Sequence, residues 1–429
     1  MKSPSRFNPR NNKPEQKRPA QKETSPRRLK TFEDIKQQLS AWAENDRIPG
    51  KIQAWFTKDA SPENADWSIV HKLVNGTETL RIEAPAAEME PPEVVSRVNE
   101  QLHKEHLRLF RKAIRSIWFR ATGDGRFALL MQVNLRGKNS AHAYKTFIDF
   151  LEKSCPEIIS CHHIECTPNH LFDPSAKISM RVDTRCNFGS DFYPLANTGL
   201  YAHVLDWTPR IKDAWLDLPA RIKEAIHPAP GDKFFDFYSS SSYVGASLAN
   251  CFKQVESLDC RESAMLSSKF NSRNLPEGNL RFHRGHLEES TLTKFFNKAE
   301  NDGRWTFYFN LPAEETLPAG IEPVIAASRP ERILLQIGNL EIASKEIRRF
   351  RNDGYILRKS VPLYLEPGTG KFEVLFIFVP DRAGLLGLTP AQKARSSRIQ
   401  RPQERVLPTK QGNTPHFVQK APTFRQRKG

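Results

Sequence analysis

A run of aromatic residues passes into four consecutive serines in Phe235-Asp236-Phe237-Tyr238-Ser239-Ser240-Ser241-Ser242-Tyr243. The apolar part is typical of a buried strand, and the serines are typical of a polar turn. On both sides, segments with strand character alternate with amphipathic helical segments, which predicts an α/β fold with a doubly wound, mostly parallel sheet. Ligands bind such sheets outside the carboxyl ends of the strands, so the serine turn is a candidate binding loop. The predicted strands are residues 234–238, 254–258, 280–284, 305–309, 332–336, 355–361 and 372–379.

The chain divides into five predicted segments. The sheet described above belongs to the fourth segment, and two smaller α+β units precede it. Basic, Pro- and Gln-rich segments lie at both ends of the chain and are predicted to be disordered, because they have little apolar surface to bury. The segments are residues 1–30, 31–92, 93–190, 191–388 and 389–429.

Local signals locate several elements within the two smaller units. A helix is predicted over residues 31–46, where Thr31 and Asp34 have the spacing of a capping box. A second helix is predicted over residues 92–114 from its apolar spacing. Thr122-Gly123-Asp124-Gly125 lies between two apolar runs, which indicates a β-hairpin. A helix at residues 141–152 and a strand at residues 158–164 are predicted to complete the second unit, which ends near residue 182.

The positive charge of the chain lies in its terminal segments. The formal net charge is +16, and residues 1–30 contain ten Lys/Arg against two Glu. Residues 389–429 contain ten Lys/Arg against Glu404 alone, so the part between the two segments is close to neutral. Arms of this kind bind RNA by releasing condensed counterions, with strong salt dependence and little sequence preference. The alternative is that the basic arms only aid solubility.

Composition excludes two classes of protein. No run of about 18 apolar residues occurs, and the first residues lack the apolar stretch of a secretory signal. The six cysteines are few for 429 residues and do not form a disulfide framework. We therefore expect a cytoplasmic protein that does not enter a membrane.

The order and spacing of segments in residues 191–380 resemble the RNA 5-methyluridine methyltransferases, enzymes with a Rossmann-like class I fold that use S-adenosylmethionine. The aromatic strand and serine turn take the place of the first strand and glycine-rich cofactor loop of that family. Asp259 takes the place of the acidic residue that ends the second strand. Asn271 and Asn274 match a pair of asparagines in the following helix. The closing motif of the family is matched by Pro367-Gly368-Thr369-Gly370-Lys371-Phe372-Glu373-Val374, in which Lys371 stands where the family has a histidine.

The resemblance also reveals departures at the catalytic positions. Gly338 stands where the family has its nucleophilic cysteine, whose thiolate adds to carbon 6 of uracil and so activates carbon 5. Glu373 keeps the place of the carboxylate that removes the carbon 5 proton. Asn310 replaces the aspartate of an Asp-Pro-Pro-Arg loop, and Leu195 replaces a substrate-contacting glutamine two residues before Asn197. The resemblance therefore implies that the usual uracil chemistry is lost.

The resemblance assigns a cofactor site whose affinity for S-adenosylmethionine we expect to be weak or lost. Serine side chains at positions where the family often has glycine hinder the close approach of backbone to cofactor. Asp259 keeps an acceptor for ribose hydroxyls; the alternative is that it only caps the next helix. The candidate cofactor residues are Asp236, Ser239, Ser240, Ser242, Asp259 and Asn310, and the candidate substrate residues are Asn197, Thr369 and Lys371.

Two further groups of residues are expected to have no part in the site. Cys161-His162-His163-Ile164-Glu165-Cys166 contains metal-ligand residue types, but a Cys-x4-Cys pair on a strand has the wrong spacing for common zinc sites. We therefore expect no metal. Cys251 and Cys260 are not expected to reach a uracil and replace the missing thiol.

The leading hypothesis is a catalytically inactive or impaired protein that binds transfer or ribosomal RNA. A first alternative is an active S-adenosylmethionine-dependent RNA methyltransferase with a different acceptor chemistry, which needs no cysteine. A second alternative is a protein-binding scaffold. The sequence indicates neither the base nor the oligomeric state.

Overall fold

The computed structural model describes residues 30–48, 51–74, 77–135, 138–165, 172–177, 183–275, 278–298, 302–312 and 314–382. Apart from Lys30, the two predicted basic tails lie outside these ranges, as does the predicted end of the second unit near residue 182. The helices are α1 Phe32–Asn45, α2 Glu93–His103, α3 Arg108–Ala113, α4 Lys138–Ser154, α5 Asp213–Ile226, α6 Tyr243–Ser247, α7 Glu262–Asn274, α8 Glu289–Lys298, α9 Glu322–Ser328 and α10 Leu340–Asn352. The strands are β1 Lys51–Ile52, β2 Phe56–Thr57, β3 Trp67–Val74, β4 Thr77–Glu83, β5 Ile114–Ala121, β6 Phe127–Val133, β7 Ile158–Glu165, β8 Arg185–Phe188, β9 Phe192–Pro194, β10 Tyr201–His203, β11 Lys233–Phe237, β12 Gln254–Asp259, β13 Leu280–Arg284, β14 Trp305–Asn310, β15 Arg332–Ile337, β16 Tyr355–Tyr364 and β17 Glu373–Pro380.

The main sheet is doubly wound and mostly parallel, as predicted. Its order is β1-β16-β17-β15-β14-β11-β12-β13, and β2 also pairs with β16. Strands β11 to β15 are parallel to one another, whereas β17 runs antiparallel between β15 and β16. All seven predicted strands are present. The carboxyl ends of β11, β12, β14 and β15 therefore meet along one edge of the sheet.

Apolar cores cover both faces of the main sheet. Every residue of β11, β12 and β14 is buried, as expected for parallel strands that helices cover on both sides. Alternate residues point to opposite faces: Phe234 and Tyr308 belong to one core, and Phe235 and Phe307 to the other. The rings of Phe235 and Phe307 are 5.1 Å apart, so the aromatic run that predicted the first strand also fills the core beside it.

A second sheet precedes the main sheet in the chain. Its order is β4-β3-β5-β6-β7-β8, and the predicted hairpin joins β5 to β6. Helices α2, α3 and α4 contribute Val98, Phe110 and Phe147 to a third apolar core against this sheet. None of the helices in the part of the chain that the structure describes has the length and apolar character needed to cross a bilayer.

Residues 31–92 are shared between the two sheets and do not form a unit of their own. Helix α1 has the predicted capping box at Thr31 and buries Leu39 in a core of the main sheet. Strands β1 and β2 pair with β16, whereas β3 and β4 pair within the second sheet. Two-residue strands cannot form a sheet alone, and the edge of β16 supplies the hydrogen-bond partners that they lack.

The predicted helix over residues 92–114 is interrupted. Lys104 has extended backbone angles (φ −66°, ψ 144°), which end α2 before a short 3₁₀ turn leads into α3. The interruption rotates the second half of the segment relative to the first. Leu107 is consequently buried, whereas Leu109 is 45% exposed.

Candidate active site at the edge of the main sheet

Two pockets lie side by side at the carboxyl edge of the parallel strands. The first, here called the strand-edge pocket, is a cavity of about 300 Å³ whose lining includes Asp259, Arg261 and Asn310. The second, here called the Glu373 pocket, is a cavity of about 340 Å³ whose lining includes Gly338 and Glu373. Trp207 lines both pockets. This is the place where open α/β sheets bind their ligands.

Asp259 lies at the end of β12, and its hydrogen-bonding capacity is filled by its own neighbours. One carboxylate oxygen accepts from the Ser240 backbone N–H at 2.9 Å and from the Arg261 guanidinium at 2.6 Å. The other accepts from the backbone N–H and from Nε of Arg261, both at 2.9 Å. An ionised carboxylate has about four acceptor positions. A ribose hydroxyl would have to displace Arg261 to bind here.

The serine turn keeps the backbone path of a glycine-rich loop. Tyr238, Ser240 and Ser242 all have positive φ, at 57°, 51° and 57°, a conformation that costs glycine little and other residues more. The predicted cofactor residues Ser239, Ser240 and Ser242 are buried, and they do not line the strand-edge pocket. The Ser240 hydroxyl donates to the carbonyl oxygen of Trp207 at 2.8 Å. The Ser242 hydroxyl donates to Ser239 Oγ at 3.4 Å, so these three side chains make their hydrogen bonds inside the protein.

Asp236, another predicted cofactor residue, lies beneath α6 and lines neither pocket. It is 1% exposed, and Oδ2 accepts from the Gly245 backbone N–H at 3.1 Å. Burial raises the pKa of the Asp236 carboxyl to about 8, so this group is protonated at neutral pH. Its hydrogen bond to Gly245 links strand β11 to helix α6, which follows the serine turn.

Glu373 opens β17 and is held by two hydrogen-bond donors. Its Oε1 accepts from Lys177 Nζ at 2.8 Å, and its Oε2 accepts from the side-chain amide of Gln336. The Tyr308 hydroxyl in turn donates to Gln336 Oε1 at 2.6 Å. The carboxylate predicted as the retained base is thus oriented by a chain of buried polar side chains that reaches into the sheet.

Lys177, which the sequence reasoning did not single out, lies at the junction of the two pockets. Besides Glu373, Nζ donates to Asn310 Oδ1 at 2.7 Å and to the Leu311 carbonyl oxygen at 3.4 Å. It lies 4.7 Å from the centre of the Trp207 ring. The ammonium group therefore connects the predicted cofactor residue Asn310 with the predicted base.

Gly338 lies beside Glu373 in the lining of the Glu373 pocket. A Cβ atom at Gly338 would be 3.6 Å from Glu373 Cγ and 3.2 Å from the Phe372 carbonyl oxygen. Among the residues that the structure describes, no cysteine lines the Glu373 pocket. Cys260 lines the strand-edge pocket, on the side of Asp259.

The three predicted substrate residues are separated. Lys371 lines the Glu373 pocket and is exposed. Thr369 uses its hydroxyl within the closing turn, where it donates to the Glu366 carbonyl oxygen at 2.7 Å and accepts from the Lys371 backbone N–H at 3.2 Å. Asn197 lies in an exposed turn and lines neither pocket.

One group of metal-ligand residue types lies apart from both pockets. The donor atoms of His162, Cys186 and Asp191 lie within 4.8 Å of one another, and His162 Nε2 is 2.9 Å from Asp191 Oδ1. Register between β7 and β8 brings His162 opposite Cys186. Cys166, the last residue of the Cys161–Cys166 run considered above, lies outside the described residues, as does the nearby His170.

The chain is similar in sequence to an RNA methyltransferase. It is 29% identical over 150 residues to YljE, an uncharacterized RNA methyltransferase of Lactococcus lactis subsp. lactis (strain IL1403). The match covers 35% of this chain and 32% of the relative, so the chain spans about a third of the length of that curated relative. No protein-family profile matches the chain.

The fold is similar to that of a solved methyltransferase. Pyrococcus abyssi tRNA (uracil-54, C5)-methyltransferase in complex with S-adenosyl-L-homocysteine superposes with a TM-score of 0.57 at 14% identity, over 80% of this chain and 83% of that chain. The M. jannaschii tRNA m1G37 methyltransferase matches with a TM-score of 0.37 at 12% identity, over 82% and 98% of the two chains, a score too low to carry an argument. The fold is a Rossmann-like class I methyltransferase fold, and the predicted resemblance to RNA methyltransferases is confirmed.

Proposed function

We propose that this chain is an RNA-binding protein with a methyltransferase fold that has lost the chemistry of uridine C5 methylation. The observation that supports it is Gly338, which has no side chain beside Glu373. In the enzymes that the sequence resembles, a cysteine thiolate at this point activates the ring. A carboxylate alone cannot do so, because carbon 5 becomes nucleophilic only after a nucleophile has added to carbon 6.

We further propose that affinity for S-adenosylmethionine is weak or lost. The residues present do not fit the cofactor as they are arranged, because Arg261 and Ser240 fill the acceptor positions of Asp259. The buried serine turn also offers no hydroxyl to the strand-edge pocket. The protein therefore keeps the architecture of the cofactor site without its free hydrogen-bonding groups.

Transfer or ribosomal RNA is the proposed partner. The curated relative is an RNA methyltransferase, and the superposed enzyme is a tRNA methyltransferase. Both terminal segments carry a large excess of Lys and Arg, which provides sequence-independent attraction for phosphates. Lys30 and Lys371 in the lining of the Glu373 pocket add positive charge beside the site. We place the protein in the cytoplasm, in keeping with its few cysteines.

Two measurements on the full-length chain test this proposal. Fluorescence anisotropy with transfer and ribosomal RNA is expected to show affinity that falls steeply with salt, by about a thousandfold or more between 50 and 200 mM if six or more phosphates are contacted. Incubation of the protein and RNA with S-adenosylmethionine labelled in its methyl group is expected to leave the RNA unlabelled. Absence of salt-dependent binding would favour the scaffold hypothesis instead.

A second candidate function is favoured by the groups that remain at the site. Glu373 and Asn310 keep oxygen acceptors at the junction of the pockets. Such a site suits methylation of an acceptor that is nucleophilic without a cysteine. Labelled RNA that disappears when Asp259 is changed to Ala would establish this candidate and exclude the inactive one.

A further inference from the structure

Three oxygen atoms converge on a single amino group at the junction of the two pockets. Asn310 Oδ1, Glu373 Oε1 and the Leu311 carbonyl oxygen lie 2.7, 2.8 and 3.4 Å from Lys177 Nζ. An ammonium group has three N–H donors, so each donor has an acceptor here. With the Asn310 amide oxygen turned toward Lys177, the arrangement presents three acceptors to an amino group.

The residues that carry the three acceptors are anchored in the main sheet without Lys177. Asn310 ends β14, and Leu311 follows it with its backbone N–H bonded to the Gln336 carbonyl oxygen at 3.0 Å. The Gln336 side chain also fixes the other oxygen of Glu373. The acceptor set is therefore preorganised, whereas the amino group arrives on a long side chain from another segment. The amino group is the part that can be exchanged.

The surroundings suit an amino group that is attached to a planar aromatic ring. The Trp207 ring lies 4.7 Å from Lys177 Nζ and lines both pockets. Its indole N–H donates to the Ser175 carbonyl oxygen at 2.8 Å, which fixes the plane of the ring. Stacking on a fixed aromatic ring is the usual way in which proteins hold an unstacked base.

We propose that Asn310, Leu311 and Glu373 form a binding site for the exocyclic amino group of a nucleobase, and that Lys177 occupies it in the free protein. This inference rests on the proposed RNA-binding function and names the class of base. Adenine, cytosine and guanine carry such an amino group. Uracil would turn carbonyl oxygens toward three oxygen acceptors, which is unfavourable because none of them has a proton to donate.

Paired nucleosides that differ only in the amino group test the proposal. The full-length chain and its Lys177→Met variant are titrated by calorimetry or ligand-observed NMR with adenosine against purine riboside, and with cytidine against its analogue lacking the 4-amino group. In Lys177→Met, we expect the amino-bearing member of each pair to bind about tenfold more tightly than the member that lacks the amino group. One or two hydrogen bonds to a charged acceptor distinguish the two members. Lys269→Met, an exposed lysine on α7, is the matched control and should behave as wild type.

Each outcome bears on the proposal. Asn310→Ala in the Lys177→Met background should abolish the preference. Equal affinity within both pairs, or no binding of any nucleoside at its solubility limit, would overturn the inference. Tighter binding of Nα-acetyl-lysine amide than of any nucleoside would overturn the assignment to a base. If Lys177→Met does not fold, the wild-type chain must show the same preference for the amino-bearing nucleoside of each pair, at lower affinity. Salt-dependent RNA binding without any amino preference would refute this inference alone and leave the proposed function standing.

Discussion

Gly338 lies directly beside Glu373, with room for a Cβ atom 3.6 Å from the glutamate Cγ. The variant Gly338→Cys would therefore carry a thiol at the lost position of the nucleophile. Because the same Cβ lies 3.2 Å from the Phe372 carbonyl oxygen, we expect a loss of about 1 to 3 kcal/mol in the free energy of unfolding, measured in urea. We also expect no 5-methyluridine in RNA, since Asp259 stays engaged.

Gly338→Ala is the control, because it adds the same Cβ without sulfur. The two variants should lose similar stability, and the cysteine variant should react with one more equivalent of a thiol reagent than the alanine variant, which keeps the native free cysteines such as the exposed Cys186. Robust formation of 5-methyluridine by Gly338→Cys would show that the cofactor site is competent and would contradict the proposed loss of affinity.

Arg261 is expected to keep nucleoside cofactors away from Asp259. In Arg261→Ala, the two side-chain hydrogen bonds to Asp259 disappear and the two backbone ones remain, so one acceptor position on each carboxylate oxygen becomes free for ribose hydroxyls. We expect S-adenosylhomocysteine to bind about tenfold more tightly, as measured by calorimetry, because hydrogen bonds to a charged group contribute about 1.5 to 3 kcal/mol.

Arg273→Ala, at an exposed position of α7, is the matched control and should leave the affinity unchanged. The double variant Arg261→Ala/Asp259→Ala should lose the gain. An Arg261→Ala variant that binds no better than wild type would remove Asp259 from the candidate cofactor residues.

The buried carboxyl of Asp236 predicts a pH dependence of stability. Its pKa is raised from 3.8 to about 8 in the folded chain, so the folded state holds a proton that the unfolded state releases. The contribution of that proton to the free energy of unfolding is fully present below pH 4 and decreases as the pH rises toward 8. Asp236→Asn keeps the oxygen that accepts from Gly245 and cannot ionise.

Urea unfolding between pH 4 and pH 9 measures this effect. The difference in unfolding free energy, variant minus wild type, should grow with pH up to about pH 8 and then stay constant. Comparison with the variant cancels the titration of other groups. A difference that does not change with pH would show that the Asp236 carboxylate is ionised in the folded protein.

The strands could be predicted from sequence because they are continuous apolar runs. Phe235 and Phe307 lie in apolar runs of this kind, and every residue of their strands is buried. The sequence also predicts Asp259 at a strand end, which is where it lies. The start of helix α3 could not be predicted, because no Pro or Gly marks the break at Lys104. This break exposes Leu109.

The contacts that define the site could not be predicted. Lys177 is 196 residues from Glu373 in the sequence, so no local pattern connects them. Arg261 is two residues from Asp259, but its return onto that carboxylate depends on the side-chain rotamer. The resemblance predicts which residue types stand at the site. Only the tertiary structure shows that neighbouring cationic side chains pair with its carboxylates.

A buried cluster of charges is expected to join the second sheet to the segment that carries Trp207. Asp66 is 1% exposed, its Oδ2 forms an ion pair with Arg120 Nε at 3.0 Å, and its Oδ1 accepts from the Lys212 ammonium. The other end of the Arg120 guanidinium donates to the Asp206 carbonyl oxygen at 2.8 Å. Asp66→Ala leaves two buried cations facing each other, so we expect a loss of about 3 to 5 kcal/mol in the free energy of unfolding.

Asp217→Ala is the matched control, because Asp217 pairs with Lys58 at 3.0 Å while both side chains are about half exposed. Its loss should stay within about 1 kcal/mol, since water replaces an exposed partner at little cost. Urea denaturation monitored by tryptophan fluorescence measures both variants. If Asp66→Ala lost no more stability than Asp217→Ala, water would have to enter the cluster, and the second sheet would not depend on these charges for its attachment to the Trp207 segment.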